Sequence, residues 1–220
     1  MLNRISAEVF GSFCLIFAGT GAIVINDVAG GTITHMGVAL VFGLVVMAMV
    51  HAVGDISGAH INPAVTLGMY AARRLPSALV IPYVLAQFAG GFAASGLLKL
   101  LFPDHPTLGA TLPAGSAWQS FVLEVVLTWI LMAVVLRVSS GPKERGMFAG
   151  ITVGSVIAVE AMFAGPICGA SMNPMRSVTP AVASGNLGSL WIYVAAPLIG
   201  SLLAVVTAPL LRDEHDQRGV

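Results

Sequence analysis

The sequence predicts an all-α membrane protein, with six transmembrane helices, two re-entrant half-helices and an inverted repeat of a three-helix unit. Of its 220 residues, 57% are hydrophobic and only 9% are charged, whereas soluble domains carry about 25% charged residues. Six apolar stretches are long enough to cross a bilayer, and two others are about half that length. The chain also contains two related halves, each carrying the dipeptide Asn-Pro.

The lengths of the apolar stretches define the elements. A transmembrane helix needs about 20 mainly apolar residues, and the stretches that qualify are 7–26, 34–54, 79–102, 118–138, 147–164 and 187–211. Residues 63–72 and 174–184 would reach only about 15 Å as helices, half of the hydrocarbon core. We expect these two to enter the membrane and turn back, which is tolerated where the turning backbone is buried in protein or lines a wet cavity.

The beginning of the chain permits two interpretations. Residues 1–25 have a basic start and an apolar core, as a cleaved signal peptide has. Glu8 interrupts that pattern, and the same stretch has a counterpart later in the chain, so we expect a first span. The sequence then predicts one transmembrane domain over 1–220, with a first repeat at 5–102, a loop at 103–117, a second repeat at 118–211 and a cytoplasmic tail at 212–220.

The basic residues predict the orientation, because Lys and Arg concentrate in cytoplasmic loops. The connections 27–33 and 103–117 contain neither. Eight basic residues fall on the opposite side if the two termini share it: Arg4, Arg73, Arg74, Arg137, Lys143, Arg145, Arg212 and Arg218. We expect both termini to be cytoplasmic and the membrane to be the inner (plasma) membrane of a bacterium. A net charge of zero argues against binding to nucleic acid.

The two halves of the chain match at two places. Glu8 begins EVFGSFCLIFAGTG, and Glu124 begins EVVLTWILMAVVLR. Downstream, SGAHINPAVT in the first half corresponds to GASMNPMRSVTP in the second. An odd number of spans in each half forces the second half to enter the membrane upside down. Inverted repeats of this kind place the functional site near the bilayer midplane, where discontinuous helices end.

Each Asn-Pro pair stands at the start of a predicted half-helix. Asn is a favoured N-cap, and Pro suits the first helical position, so we expect these helices to begin at Asn62-Pro63 and Asn173-Pro174. Inverted topology aims both positive helix ends at the bilayer centre. Two facing amides would hold a passing water by its oxygen, and the helix ends would repel cations. A single Asn-Pro is only a turn signal, but two at matched places favour a pore.

The two Asn-Pro loops resemble the signature loops of the aquaporin, or major intrinsic protein, family over nearly the whole chain. The second loop, GPICGASMNPMRS, is similar to that of the nodulin-type proteins, a subgroup associated with glycerol and undissociated metalloid acids. The resemblance implies a passive channel for water and small uncharged solutes that excludes protons and ions. It also implies a homotetramer in the lipid bilayer with one pore per protomer, no enzymatic activity, no cofactor and no metal.

The resemblance also assigns the midplane of the pore and its constriction. The midplane comprises Asn62, Pro63, Ala64, Asn173, Pro174 and Met175, where Met175 replaces the usual Ala and is expected to pack where the half-helices touch. The selectivity filter comprises Phe42, Ala161, Ala170 and Arg176. An arginine within the membrane is costly and is by default functional; the alternative for Arg176 is a buried structural ion pair.

The residues of the filter indicate the solutes. Water-selective relatives carry His where this chain has Ala161, so two alanines predict a wider opening that passes small polyols or hydroxy acids besides water. Glycerol-selective relatives present two aromatic rings, whereas this chain has only Phe42. A channel that passes water alone is therefore the alternative.

The remaining polar residues have predicted roles that the resemblance or their position suggests. The pore carbonyls would come from Gly58, Ala59, His60, Gly169, Ala170 and Ser171. Glu8 and Glu124 would support the re-entrant loops; Glu160 would support the loop that carries Arg176 or contact the solute. His51 and Asp55 indicate a polar pair at the cytoplasmic mouth rather than a metal site, and Cys168 is either buried or a pore-accessible thiol.

Two other classes of protein compete with a channel. Inverted repeats also occur in ion-coupled transporters, which would need an ionisable relay along the path; none is expected at the midplane. An intramembrane enzyme would need a catalytic constellation, and neither a GxSxG elbow nor an HExxH helix is present in the sequence.

Overall fold

The computed structural model describes residues 1–139 and 147–211, and every regular element in these ranges is helical. The helices are α1 (Leu2–Val28), α2 (Thr34–Ser57), α3 (Pro63–Ala71), α4 (Ser77–Leu101), α5 (Ala117–Val138), α6 (Ala149–Cys168), α7 (Pro174–Ser184), α8 (Leu190–Thr207) and a final 3-10 turn (Ala208–Leu211). The predicted tail and the basic residues Lys143, Arg145, Arg212 and Arg218 lie outside the described residues.

The predicted all-α membrane fold is confirmed. Within the described ranges, six helices are long and apolar enough to cross a membrane, and the two half-helices α3 and α7 begin at Pro63 and Pro174, as expected. The ends of the spans differ by a few residues. Helix α1 begins already at Leu2 because the exposed polar residues before the apolar stretch continue its helical turn. Helix α8 ends at Thr207, two residues before Pro209, which cannot donate to a continuing helix.

The pore-lining residues show how the helices run. One cavity is lined by the end of α1, the start of α2 and the end of α6, through Asn26, His35 and Gly165. A second cavity is lined by the later part of α2 and the start of α6, through Val50 and Ala149. The chain therefore passes up and down through the bundle. We call the end near residue 1 the N-terminal face and the end formed by 29–33 and 102–116 the loop face.

The helices pack as two equivalent halves. Helix α1 lies on α4 in the first half, and α5 lies on α8 in the second; the half-helices are exchanged, so that α3 contacts α8 and α7 contacts α4. The closest contacts recur at corresponding glycines: a Cβ added to Gly90 of α4 would lie 2.2 Å from the Val9 carbonyl oxygen, and one added to Gly200 of α8 would lie 2.3 Å from that of Val125. Small residues allow such close backbone approach between membrane helices.

The close contact at Gly90 yields a stability prediction. Gly90→Ala would force α1 away from α4, because the atom it meets is backbone that cannot rotate aside; we expect a loss of about 1–3 kcal/mol, the usual cost of overpacking. Gly96 lies on the same helix with nothing within 4 Å of an added Cβ, so Gly96→Ala should instead stabilise by up to about 1 kcal/mol through helix propensity. Thermal unfolding in detergent measures both. Equal melting temperatures would contradict the packing.

Candidate functional site

The two half-helices meet N-terminus to N-terminus, and their caps are interlocked. The side-chain oxygen of Asn62 accepts from the Ala64 backbone N–H at 2.8 Å, and its amide nitrogen donates to the Met172 carbonyl at 2.9 Å. In the same way, the amide nitrogen of Asn173 donates to the Ile61 carbonyl at 3.0 Å. Each amide group has two N–H donors. One crosses to the opposite loop, and the second is left for the lumen, which both asparagines line.

Asn173 caps the second half-helix as Asn62 caps the first. Its side-chain oxygen accepts from the backbone N–H groups of Met175 and Arg176, at 3.1 and 3.3 Å. The N-terminus of a helix carries about +0.5 of an elementary charge. Two such ends that meet in the pore raise the electrostatic energy of a cation there.

The loops before the half-helices have a strained backbone. Ala59 and Ile61 have φ of 46° and 43°, and the corresponding residues Ala170 and Met172 have φ of 42° and 54°. Non-glycine residues in the left-handed region persist only where surrounding contacts hold them. Residues of both loops line the cavities of the pore; that their carbonyl groups serve as acceptors along the path stays a prediction.

Glu8 holds the first loop. Its carboxylate accepts from the backbone N–H groups of His60 and Ile61 at 2.9 and 2.8 Å, and from the Ser57 hydroxyl at 2.7 Å. Gln87 of α4 donates to the same carboxylate at 2.7 Å. The carboxylate is fully buried and satisfied by four donors, which is the condition under which a buried acid is tolerated.

Glu124 holds the second loop by the same geometry. It accepts from the backbone N–H groups of Ser171 and Met172 at 2.7 and 2.8 Å. A tyrosine on the last helix of each half completes the arrangement: Tyr83 donates to the Ser57 carbonyl, and Tyr193 donates to the Cys168 carbonyl. Sequence analysis missed both tyrosines, although their matched places in the two repeats were a usable signal.

The four residues predicted for the filter surround one narrow passage, together with the carbonyl-bearing loop. The guanidinium carbon of Arg176 lies 4.7 Å from the centroid of the Phe42 ring, a cation–π distance. One guanidinium nitrogen donates to the Gly109 carbonyl at 2.8 Å. Gly109 belongs to the loop between α4 and α5 and was missed by sequence analysis, because no motif links this loop to the filter.

The pore consists of three connected spaces with different linings. The vestibule at the loop face has a volume of about 300 Å³ and is lined in part by Asn26, His35 and Arg176. The passage between filter and asparagines has about 30 Å³, room for one or two waters. The space toward the N-terminal face has about 160 Å³ and is lined mainly by aliphatic side chains such as Val50, Val65 and Leu131. The middle space is therefore the smallest of the three.

Comparison with known proteins decides the family. A family model described as "Major intrinsic protein" matches residues 1–207. The chain belongs to the major intrinsic protein family. Aquaporin NIP1-1 of Zea mays is 47% identical over 212 residues, which cover 96% of this chain and 75% of that protein. Nodulin-26 of Glycine max is 43% identical over 202 residues, covering 91% and 74% respectively. The resemblance to nodulin-type proteins is thereby confirmed.

The fold of this major intrinsic protein also matches a solved structure. The X-ray structure of the aquaglyceroporin from Plasmodium falciparum superimposes with a TM-score of 0.86 at 24% identity, covering 96% of this chain and 98% of that one. The protein is thus a multi-pass membrane channel for water and small solutes, and it is not an enzyme. The two relatives named are plant proteins, so they do not support the expected bacterial membrane.

The structure locates the side chain that replaces the usual alanine of the second Asn-Pro motif. Met175 is fully buried, and a Cβ added to Gly91 of α4 would lie 2.5 Å from its sulfur. Met175 packs against α4 in this major intrinsic protein, where glycine leaves room for its side chain; its expected place at the contact between the half-helices stays a prediction. It is not among the residues that line the cavities of the pore.

Cys168 and Glu160 lie near the filter, and the structure bears differently on the role expected of each. Cys168 is fully buried, and its thiol lies 3.5 Å from the Ala164 carbonyl oxygen, so the pore-accessible alternative is wrong. Glu160 is 2% exposed, and among the described residues neither carboxylate oxygen has a hydrogen-bond partner. Within the described part of the chain, no hydrogen bond therefore joins Glu160 to the loop that carries Arg176, so the support expected of it is not formed.

Proposed function

We propose that this channel passes water and small uncharged solutes of the size of glycerol, with urea and undissociated metalloid acids as further candidates, and that it excludes protons and ions. The observation that carries the proposal is the composition of the constriction: two alanines, Ala161 and Ala170, stand with the Phe42 ring around the Arg176 guanidinium. Small side chains leave the space that a histidine would fill. The apolar ring suits the carbon side of a polyol, and the guanidinium donates to its hydroxyl groups.

The residues at the midplane supply the exclusion of protons. The free N–H of Asn62 and of Asn173 would donate to the oxygen of a passing water, so that its two hydrogens point toward opposite ends of the pore. A water oriented in this way cannot accept a proton from its neighbour and pass it on. The positive ends of α3 and α7 add a barrier to cations at the same level.

Two other functions compete with this solute range: a channel that passes water alone and a proton-coupled transporter. The volume of about 30 Å³ between filter and asparagines favours a channel that passes water alone, if side chains at the constriction do not yield to a larger solute. A proton-coupled transporter would need an acid along the path. Glu8 and Glu124 are used to hold the loops, and no acidic residue lines the cavities of the pore within the described ranges.

The assembly and orientation belong to the same proposal. We propose a homotetramer with one pore in each protomer, embedded in a plasma membrane, the inner membrane if the source is a bacterium. Large apolar side chains such as Ile81, Leu85 and Phe163 are exposed on the outer surface of the bundle, where lipid or neighbouring protomers would cover them. The N-terminal face would be cytoplasmic, since Arg4, Arg73 and Arg74 lie there.

Stopped-flow light scattering on proteoliposomes tests the solute range. Shrinkage and reswelling in gradients of glycerol, urea or boric acid report the permeability to each solute, and shrinkage in sucrose reports that to water. We expect glycerol permeability well above that of empty liposomes and no proton current in vesicles that contain a pH-sensitive dye. Permeability to water alone would establish the water-selective alternative, and flux driven by a pH gradient would establish the transporter.

Enlarging one side chain of the filter should separate the solutes. Ala161→His would refill the constriction, so we expect glycerol permeability to fall by about tenfold while water permeability stays within about twofold, since poor fit in a packed site costs about 1–3 kcal/mol. Ala161→Ser, which adds one small polar atom, is the matched control and should retain glycerol flux. Equal losses of water and glycerol in the histidine variant would contradict the filter assignment.

A further inference from the structure

The loop between α4 and α5 contains a buried histidine that organises the turn beside the filter. His105 is 9% exposed, and its Nδ1 accepts from the backbone N–H groups of Leu108 and Thr107 at 3.0 and 3.3 Å. The same turn holds Leu108 and Gly109 at φ of 50° and 74°. The imidazole therefore satisfies two donors in a segment of strained backbone.

These contacts fix the state of the ring. A nitrogen that accepts hydrogen bonds carries no proton, so His105 is neutral, with its hydrogen on Nε2. That Nε2 lies 3.3 Å from a carboxylate oxygen of Asp27 at the end of α1. Protonation would place a second hydrogen on Nδ1, directly opposite two backbone N–H donors. The turn would then lose both hydrogen bonds and gain a repulsion.

The turn is connected to the filter through a single carbonyl group. Gly109 is seated against α1, where an added Cβ would lie 2.8 Å from the Cβ of Thr20. From that position its carbonyl oxygen accepts from the Arg176 guanidinium at 2.8 Å. The rest of the loop has its own anchors: Lys99 donates to the Pro103 carbonyl and Asn186 to that of Pro106. Disturbing His105 would therefore act on the turn and its carbonyl.

We propose that His105 is a positioning residue for Arg176: by holding the turn 105–109 it presents the carbonyl that fixes the guanidinium at the constriction. The proposal rests on the filter role proposed above for Arg176. Loss of the acceptor at Nδ1 would release the turn and free the guanidinium to enter the narrow passage.

Other charged groups lie around His105. Asp27 of α1 is 3.3 Å from Nε2. Asp104, its neighbour in the loop, lines the same cavity, and Lys99 at the end of α4 is bound to the adjacent Pro103 carbonyl. None of these contacts involves Nδ1, so the acceptor that holds the turn is the feature to test.

The test compares the wild type with His105→Asn and His105→Leu in proteoliposomes. His105→Asn keeps an acceptor at the position of Nδ1, so it should restore the water permeability and the ratio of glycerol to water permeability of the wild type. His105→Leu removes the acceptor, so its permeability to water and to glycerol should fall by about threefold or more.

The outcomes separate this inference from the proposed filter. A loss of permeability in His105→Asn as large as that in His105→Leu, or full permeability of a folded His105→Leu protein, would overturn the role of His105. Melting temperatures of the three proteins show whether the leucine variant is folded; if it is not, the asparagine variant decides alone. If Arg176→Val leaves ion exclusion and the ratio of glycerol to water permeability unchanged, the filter itself is wrongly assigned.

Discussion

Replacing Arg176 with valine should make the channel leak cations and protons while water permeability is retained or raised. The guanidinium is the one cationic group among the described residues that line the constriction. It is held there by the Gly109 carbonyl and by the Phe42 ring. Without it, a cation meets only the two half-helix ends at the midplane, and an opening lined by valine, alanine and phenylalanine becomes wider. We expect ion conductance to rise by about tenfold or more, the effect of removing one nearby unit charge at an effective dielectric constant of about 20.

Valinomycin-clamped vesicles with an internal pH-sensitive dye measure the leak. Arg176→Lys is the matched variant: it keeps the positive charge but lacks the planar fork of arginine, so it should retain ion exclusion while altering the ratio of glycerol to water permeability. A valine variant that stays as tight to cations and protons as the wild type would show that the midplane alone excludes them.

Replacing Glu124 with leucine should abolish permeation and destabilise the fold. The change leaves the backbone N–H groups of Ser171 and Met172 buried without their acceptor, at about 1–3 kcal/mol each. Without this acceptor nothing holds the strained residues Ala170 and Met172, so the loop relaxes and loses the shape that lines the pore. The two unsatisfied N–H groups together cost about 2–6 kcal/mol, a large part of the 5–15 kcal/mol that stabilises a typical protein. Melting temperature in detergent and water permeability in vesicles measure the two effects.

A second buried acid provides the control for Glu124. Glu160 is 2% exposed and, within the described residues, has no hydrogen-bond partner, so Glu160→Leu removes the cost of burying a polar group and breaks no contact. We expect it to keep or raise the melting temperature. If Glu160→Leu lowers the melting temperature as much as Glu124→Leu does, the loss of a buried acid explains both effects. The hydrogen bonds from the loop backbone to Glu124 would then not be the cause. Glu124→Gln, which preserves one acceptor, should fall between the wild type and the leucine variant.

The fold was predictable because a bilayer permits few solutions. Length and hydropathy alone define spans, and the paired Asn-Pro signals could be placed because N-cap chemistry is local to a few residues. The ends of the spans were less accurate. Helix α1 continues through polar residues to Leu2, since hydrogen bonding within the helix does not stop where the apolar surface stops.

The residues of the candidate site were largely predictable, but the contacts that join them to the rest of the fold were not. The asparagines, Arg176 and the loop glutamates follow from the repeat and from the resemblance. The Gly109 carbonyl did not, because a backbone oxygen carries no residue-specific signal and the loop reaches the filter only through the tertiary fold. The packing of Met175 against α4 was not predicted either, because a helical position gives the direction of a side chain but not the space that a neighbour such as Gly91 leaves for it.

The crossed amide bonds, from Asn62 to the Met172 carbonyl and from Asn173 to the Ile61 carbonyl, have a consequence for biosynthesis. When the ribosome has delivered only the first repeat, Asn62 has no distant partner and the Ile61 carbonyl has no donor. The early half therefore stays in the membrane with an unfinished loop until the later half arrives. Each half supplies the donor that a carbonyl of the other half accepts, so neither loop is complete without both.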